Sequence, residues 1–392
     1  MNTMIDFDDA LADLASQGLL RTRRVVDGPQ GPLLTVEGRE FLSFCNNDYL
    51  GLANHPQIVA AAQDALRDYG VGAAASALIS GHGVAHEQLE HALAAFTGWP
   101  AALSFTNGYM ANIGVIGALV GAGDTVVVDR LSHASLIDGA RLSGASLKVF
   151  PHNDVARLEQ VLARCSSPRK LVVTDAVFSM DGDVAPLAAL AASCARHGAW
   201  LLVDDAHGLG VLGPQGRGSL AHAGITPAQA PHVLLMGTLG KAAGVAGAFV
   251  AGERSAIAWI MQRARTYMFT TAHPPALAAA TSASLAIIAR DDWRRAHLRA
   301  LAEQLRAKLA GLPWTLLPSD TAIQPLIVGD NHAARSLMQR LREQGLWVPA
   351  ICPPTVPKGS ARLRISLSAL HTDEHIARLA DALASAARES TA

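Results

Sequence analysis

The chain has 392 residues, half of them hydrophobic and only 17% charged, enough for two domains and a sizeable core. Its 32 Lys and Arg residues against 33 Asp and Glu leave a formal net charge of -1, so no basic excess points to a nucleic-acid partner. The cysteines Cys45, Cys165, Cys194 and Cys352 form no Cys-x-x-Cys pair, which argues against a zinc or disulfide framework and for reduced thiols in a cytoplasmic enzyme.

The first residues, Met-Asn-Thr-Met-Ile-Asp-Phe-Asp-Asp, carry neither a basic n-region nor an apolar h-region, so no signal peptide is expected. Phe7, Leu11, Leu14 and Ala15 recur at helical spacing and predict a short amphipathic helix over 6–18. The basic cluster Arg21-Thr22-Arg23-Arg24 reads as a solvated face. A turn at 28–32 leads to a small hairpin over 33–44, around Glu37-Gly38-Arg39. The polar and aromatic stretch 45–52 suits a loop, 56–69 a helix, and the Gly, Ala and Ser of 70–83 a closely packed or ligand-facing loop. Residues 87–96 form a helix with Leu89, Leu93 and Phe96 inward. The uncharged run 92–123 is broken by Pro100, Asn107, Gly108 and Asn112, so it predicts a buried strand and helix, not a membrane span.

Strands and helices then alternate. Strands are expected at 101–105, 125–128, 147–150, 171–174, 200–203, 233–236 and 248–250, with helices at 109–119, 133–142, 154–163 and 187–197 between them. This is an α/β pattern, a mostly parallel seven-stranded sheet flanked by helices. Past about 285 the pattern changes to a long Arg- and Ala-rich helix, short strands near 324–328, 346–348 and 362–367, and a last helix capped by Thr372. The expected organisation is an N-terminal helix and hairpin segment (1–48), a large domain (49–285) and a smaller C-terminal α+β domain (286–392).

Ligands of open α/β sheets sit outside the carboxyl ends of the strands. There this chain collects Asn107-Gly108-Tyr109 opening a helix, His133, Asp175, Ser179, Asp204 with Asp205, His207, Thr238 and Lys241. Lys241 follows a core strand between small residues, where desolvation lowers an amine's pKa for imine chemistry. A lysine, a carboxylate and a helix N-terminus are the parts that hold a phosphorylated pyridine aldehyde.

The chain resembles the α-oxoamine synthase family of fold-type I pyridoxal-phosphate (PLP) enzymes over nearly its whole length. The stretches that carry the resemblance are Asp-Arg-Leu-Ser-His-Ala-Ser-Leu (129–136), Val-Phe-Ser-Met-Asp-Gly (177–182), Val-Asp-Asp-Ala-His-Gly (203–208) and Gly-Thr-Leu-Gly-Lys (237–241). The resemblance implies the cofactor pyridoxal 5'-phosphate, Lys241 as Schiff-base lysine and proton-transfer base, and Asp204 opposite the pyridine nitrogen. Strand alternation and the Asp-x-x-His match favour Asp204 over Asp205. His207 matches a contact to the ring's phenolic oxygen, and His133 a residue stacked on the ring and able to donate to an acyl carbonyl. Ser179 and Thr238 match cofactor contacts, Gly108 and Tyr109 the backbone phosphate cradle, and Thr270 and Thr271 a segment that reaches the phosphate of a neighbouring subunit.

Arg364, assisted by Asn47, matches the arginine that holds the substrate carboxylate. Arg21 and Thr355 match acyl contacts. The implied reaction is decarboxylative condensation of an amino acid, L-alanine, with an acyl thioester, pimeloyl on coenzyme A or acyl carrier protein. It would take place in a homodimer without metal, nucleic acid or membrane. A branch acting on glycine and a shorter thioester, or a non-catalytic scaffold of the same fold, stays open. Ala73-Ala74-Ala75-Ser76 and His273 depart from the family pattern and leave the substrate pocket's detail open.

Overall fold

The computed structural model describes residues 5–17 and 20–391. Its central sheet has the strand order Ala101–Phe105, Ala248–Gly252, Val233–Thr238, Trp200–Asp204, Lys170–Asp175, Thr125–Asp129, Ser146–Phe150. All run parallel except Ala248–Gly252, which is antiparallel to both neighbours. The expected strands are therefore present, all but Ala101–Phe105 extended by one or two residues at one or both ends. Those extra residues include Asp129, Asp175 and Asp204 themselves.

Alternation along each strand divides the core into two layers. Val126 and Val128 pack with helices Gly108–Leu119, Ala134–Leu142 and Arg254–Arg263 on one face. Val127, Val172, Leu201 and Leu235 pack with Val84–Thr97, Val155–Ala163, Leu187–Arg196 and Pro275–Arg290 on the other. Each such side chain, fully removed from water, contributes about 1.5–3 kcal/mol. Cover on both faces explains the near-continuous apolar runs. The uncharged stretch 92–123 is divided among a helix end, a buried strand and a buried helix. Among the described residues no helix is long and apolar enough to cross a membrane.

The hairpin Leu33–Val36 and Arg39–Ser43 turns at Glu37 and Gly38, both at positive φ. Its second strand pairs in parallel with Leu346–Trp347, so a distant segment completes this sheet. A third sheet has the order Thr315–Leu316, Ile323–Gly329, Ala361–Ser366, Ala350–Ile351. The expected boundary at 285/286 falls inside helix Pro275–Arg290. The long helix expected beyond it is two helices, because the chain turns at Asp291 before Asp292–Leu309 begins. Asp291 accepts from both Arg290 and Arg294, which fixes the corner.

Thr372 caps the last helix, Asp373–Thr391, by accepting from His375 N at 3.3 Å. Helix Phe7–Ser16 buries none of its residues. Phe7, Leu11 and Leu14 of its apolar stripe stay exposed. Residue 18, the expected end of that helix, lies outside the described residues.

Candidate active site

Backbone bonds bring the 46–52 loop to the carboxyl edge of the sheet. Ser366 N donates to Phe44 O at 2.9 Å and Ala369 N to Tyr49 O at 2.8 Å, tying this loop to the C-terminal domain. Gly244, at φ +68°, sits against it from the other side. A Cβ there would lie 2.5 Å from Ala53 N and Leu52 C, so only glycine lets the lysine loop close on this segment.

A hydrogen-bonded chain crosses the resulting cleft. Lys241 Nζ lies 2.9 Å from His207 Nε2, and His207 Nδ1 lies 2.6 Å from Tyr49 Oη. Arg364 Nη2 donates to Tyr49 Oη at 3.3 Å, and both terminal nitrogens of Arg364 donate to Asn47 Oδ1, at 3.2 and 3.3 Å. Arg364 Nε donates to the backbone oxygen of Ser179 at 2.5 Å. Burial brings the Lys241 ammonium down to about 8, against the pull of Asp204 and Asp175. Burial, reinforced by the charges of Lys241 and Arg364, holds His207 well below the usual histidine range, so the ring is neutral.

The neighbouring aspartates divide their roles. Asp204 Oδ2 accepts from Asn112 Nδ2 at 2.8 Å and Oδ1 from Ala206 N at 3.0 Å. Asp205 points away into the protein, where Ser219 N donates to Oδ2 at 2.7 Å and Ser219 Oγ to Oδ1 at 2.5 Å. Burial, against these bonds, pushes Asp205 up to about 7. A Cβ on Gly208 would meet Asp205 Oδ1 at 2.1 Å, so the glycine after His207 makes room for this buried anchor. Asp175, in register with Asp204, is raised well above the usual range by burial and by Asp204's charge. It accepts from His133 N at 2.8 Å. His133 Nδ1 lies 2.8 Å from Ser135 Oγ, and Ser135 Oγ accepts from Asn112 Nδ2 at 2.8 Å, so His133 and Asp204 share one support. Burial lowers His133 also.

Gly108 opens helix Gly108–Leu119, capped by Asn107, whose Oδ1 accepts from Met110 N at 2.9 Å. The first-turn amides of Gly108 and Tyr109 have no carbonyl within the helix to bond. A Cβ on Gly108 would lie 3.9 Å from Thr238 Cβ, so Thr238 stands beside this helix end. The Tyr109 side chain turns outward to Asp138. Thr270 and Thr271 stand in a different arrangement. Thr270 lines a small cavity with His82, His86 and His273, and Thr271 bridges to Ser76. Arg21 and Thr355 come together far apart in sequence. They line a cavity of about 650 Å³ with Leu11, Leu14 and Ile351.

Sequence reasoning assigned no role to Asn112, Tyr49 or Asp175. Asn112 interrupts an otherwise apolar helix and is fully buried, a combination that signals a polar partner. Asp175 ends its strand as Asp129 and Asp204 end theirs. Tyr49 had no such signal: besides Asn47, to which its hydroxyl donates at 3.1 Å, its partners His207 and Arg364 are 158 and 315 residues away.

This residue set fits pyridoxal phosphate. It offers an amine of depressed basicity, a carboxylate held on one edge by Asn112, a neutral imidazole beside the amine, and free amides at a helix N-terminus for a phosphate. Two buried polar atoms in the same region, Asn112 Oδ1 and Ser132 Oγ, have no hydrogen-bond partner among the described residues.

Comparison with known proteins agrees. The aminotransferase class I and II family model matches residues 39–383. An 8-amino-7-oxononanoate synthase 1 from Polaromonas sp. is 56% identical over 393 residues, covering 99% of this chain and 97% of its own. An 8-amino-7-oxononanoate synthase from Nitrosomonas europaea is 54% identical over 380 residues, covering 97% and 98%. A variant of serine palmitoyltransferase from S. paucimobilis, solved with a bound PLP–myriocin aldimine, superposes with a TM-score of 0.91 at 31% identity, covering 98% and 97%. The chain belongs to the aminotransferase class I and II family and, within it, to the family of the 8-amino-7-oxononanoate synthases.

Proposed function

We propose that this protein is a PLP-dependent acyltransferase that condenses L-alanine with a pimeloyl thioester, releasing carbon dioxide and the free thiol to give 8-amino-7-oxononanoate for biotin synthesis. The observation that carries the reading is the buried chain from Lys241 through His207 and Tyr49 to Arg364. A weakly basic amine at one end of this chain and a guanidinium able to receive a carboxylate at the other support the reading.

Bound PLP supplies an electron sink for the amino acid's α-carbon. Lys241 would hold it, and its amine, partly neutral near pH 7, is the group suited to take the amino acid's Cα proton. Asp204, its carboxylate held by Asn112, would keep the pyridine nitrogen protonated. His207 donates to the phenolic oxygen. The Gly108 and Tyr109 amides, with Thr238 and Ser179, hold the phosphate and ring. Arg364 grips the alanine carboxylate with a planar fork, and Asn47 and Tyr49 keep that fork flat. His133 covers the reacting face and donates to the acyl carbonyl as the new carbon–carbon bond forms. Lys241 returns the proton after carbon dioxide leaves.

Arg21 and Thr355 contact the acyl chain in the cavity they share. The exposed arginines of 21–24 beside it suit the phosphate of a pantetheine arm, on coenzyme A or on an acyl carrier protein. We place the enzyme in the cytoplasm as a homodimer. Leu142 and Phe269, 71% and 68% exposed, line one open cavity of about 560 Å³ and suit a subunit contact that would bring Thr270 and Thr271 to the neighbouring site. Product mass analysis of L-alanine or glycine, each with pimeloyl, succinyl or acetyl thioesters, tests the reading. The expected product is 8-amino-7-oxononanoate from the alanine–pimeloyl pair. Turnover confined to glycine with a short thioester would overturn it.

A further inference from the structure

The turn 177–184 carries Ser179, whose backbone oxygen accepts from Arg364 Nε at 2.5 Å. It is a tight hairpin, bridged at Val177 and Val184, with Phe178 N donating to Asp183 O at 3.0 Å and Gly182 N to Phe178 O at 2.8 Å. Its outer side carries the C-terminal domain. Arg364 holds Ser179 O, Arg362 holds Met180 O at 3.0 Å and Asp181 Oδ1 at 2.7 Å, and Ser319 holds Gly182 O at 2.8 Å. The turn is therefore a joint between the sheet edge and the strand that carries Arg364.

One residue locks this joint from the sheet side. His152 follows the edge strand Ser146–Phe150 and lies edge-on to Phe178 of the turn, ring centroids 4.3 Å apart. Its Nδ1 lies 3.1 Å from Asp129 Oδ1 and its Nε2 lies 2.8 Å from Asp183 Oδ2. Asn153 doubles the bridge: its backbone N donates to Asp129 Oδ2 at 2.8 Å and its side chain to Asp183 Oδ2 at 2.8 Å. To reach that position Asn153 adopts a φ of 55°, an uncommon conformation that asparagine tolerates. Asp129 in turn accepts from Leu131 N at 2.8 Å, in the segment that leads to His133. Carboxylate oxygens only accept, so bonding both carboxylates requires a proton on each ring nitrogen. Burial opposes that charge, yet the bonds to Asp129 and Asp183 lift His152 to about 10.

We propose that His152 is a positioning residue. By donating from both ring nitrogens, to Asp129 and to Asp183, it fixes the Ser179 turn, and through it Arg364, relative to His133. The inference rests on the proposed role of Arg364 as the amino-acid carboxylate receptor. No atom of His152 need touch substrate. Without its second proton donor the turn is held on the sheet side by Asn153 and backbone bonds alone, and the Arg364 fork loses the backing of Ser179 O.

The test uses the full chain loaded with PLP, comparing wild type with His152→Gln, which can serve one carboxylate but not both, and with Asp183→Asn, which keeps the turn's shape and removes one charge. Amide hydrogen exchange reads the turn, and visible-absorbance titration with L-alanine, without thioester, reads the receptor. In His152→Gln the Phe178 and Gly182 amides should exchange about tenfold faster, with amides of Trp200–Asp204 unchanged, and the L-alanine Kd should rise roughly tenfold. Asp183→Asn should show both effects at about threefold. Unchanged turn exchange in both variants, or acceleration spread evenly over the central sheet, would overturn the proposal. The exchange arm needs no substrate, so a wild type that ignores L-alanine would count against the proposed reaction alone.

Discussion

The Lys241 edge and the Arg21/Thr355 cavity are built on opposite principles. At the edge, Asp204, His207 and Arg364 are buried, each held by hydrogen bonds to partners from other elements. Around the cavity, Arg21 and Thr355 are exposed, and helix Phe7–Ser16 leaves Leu11 and Leu14 open to water. Bond-making chemistry needs preorganised charges in a dry setting. Selecting a long acyl chain needs apolar walls supplied by both ends of the sequence. Under the proposed function, substitutions at the edge change turnover or amino-acid binding, and substitutions at the cavity change acyl preference.

The sharpest break in that contrast is Lys241→Ala. Turnover should fall by at least about a thousandfold with the fold retained by circular dichroism. Next come the paired aspartates. Asp204→Asn should lower kcat roughly a hundredfold with little change in thermal stability. Asp205→Ala should do the reverse, leaving the cofactor's spectrum intact but costing about 2–4 kcal/mol, because Ser219 N and Oγ lose their buried acceptor. Equal effects of the two would erase the distinction drawn between them. Arg364→Lys should raise the L-alanine KM about tenfold, since an ammonium cannot match the planar fork. Smallest, Arg21→Ala and Thr355→Ala should raise the KM for the pimeloyl thioester by roughly three- to tenfold and leave the L-alanine KM within about twofold.

The pH dependence of cofactor capture sharpens the same contrast. Only the neutral amine attacks the aldehyde. With Lys241 near 8, about a tenth is neutral at pH 7, against a few parts in ten thousand for an ordinary lysine. The rate of PLP uptake should therefore rise about tenfold per pH unit below 8 and level off above it, as stopped-flow absorbance would register. A rise continuing beyond pH 10 would show an unperturbed amine.

Much of the edge was legible because parallel strands leave a simple signature, an apolar run ended by a polar residue. Asp175, Asp204, Thr238 and Lys241 were found that way. Asp204 separated from Asp205 by alternation, since neighbouring residues of a strand face opposite sides. Asn112 and Tyr49 were not legible in role. What they do depends on contacts from distant segments that no local period encodes. His152 was silent for the same reason, since one of its carboxylates ends a strand and the other sits in a separate turn. The corner at Asp291 was hidden because alanine recurs through both flanking helices and no glycine or proline marks the break between them. The cavity joins residues near 21 and 355, which only the folded chain brings together.

The most direct test of the account is borohydride reduction of the PLP-treated protein followed by peptide mass mapping. The chain has five lysines: Lys148, Lys170, Lys241, Lys308 and Lys358. The account predicts the reduced cofactor on the peptide containing Lys241, and no labelling of the Lys241→Ala protein. Label on any of the other four in place of Lys241, or none on the wild type, would contradict it.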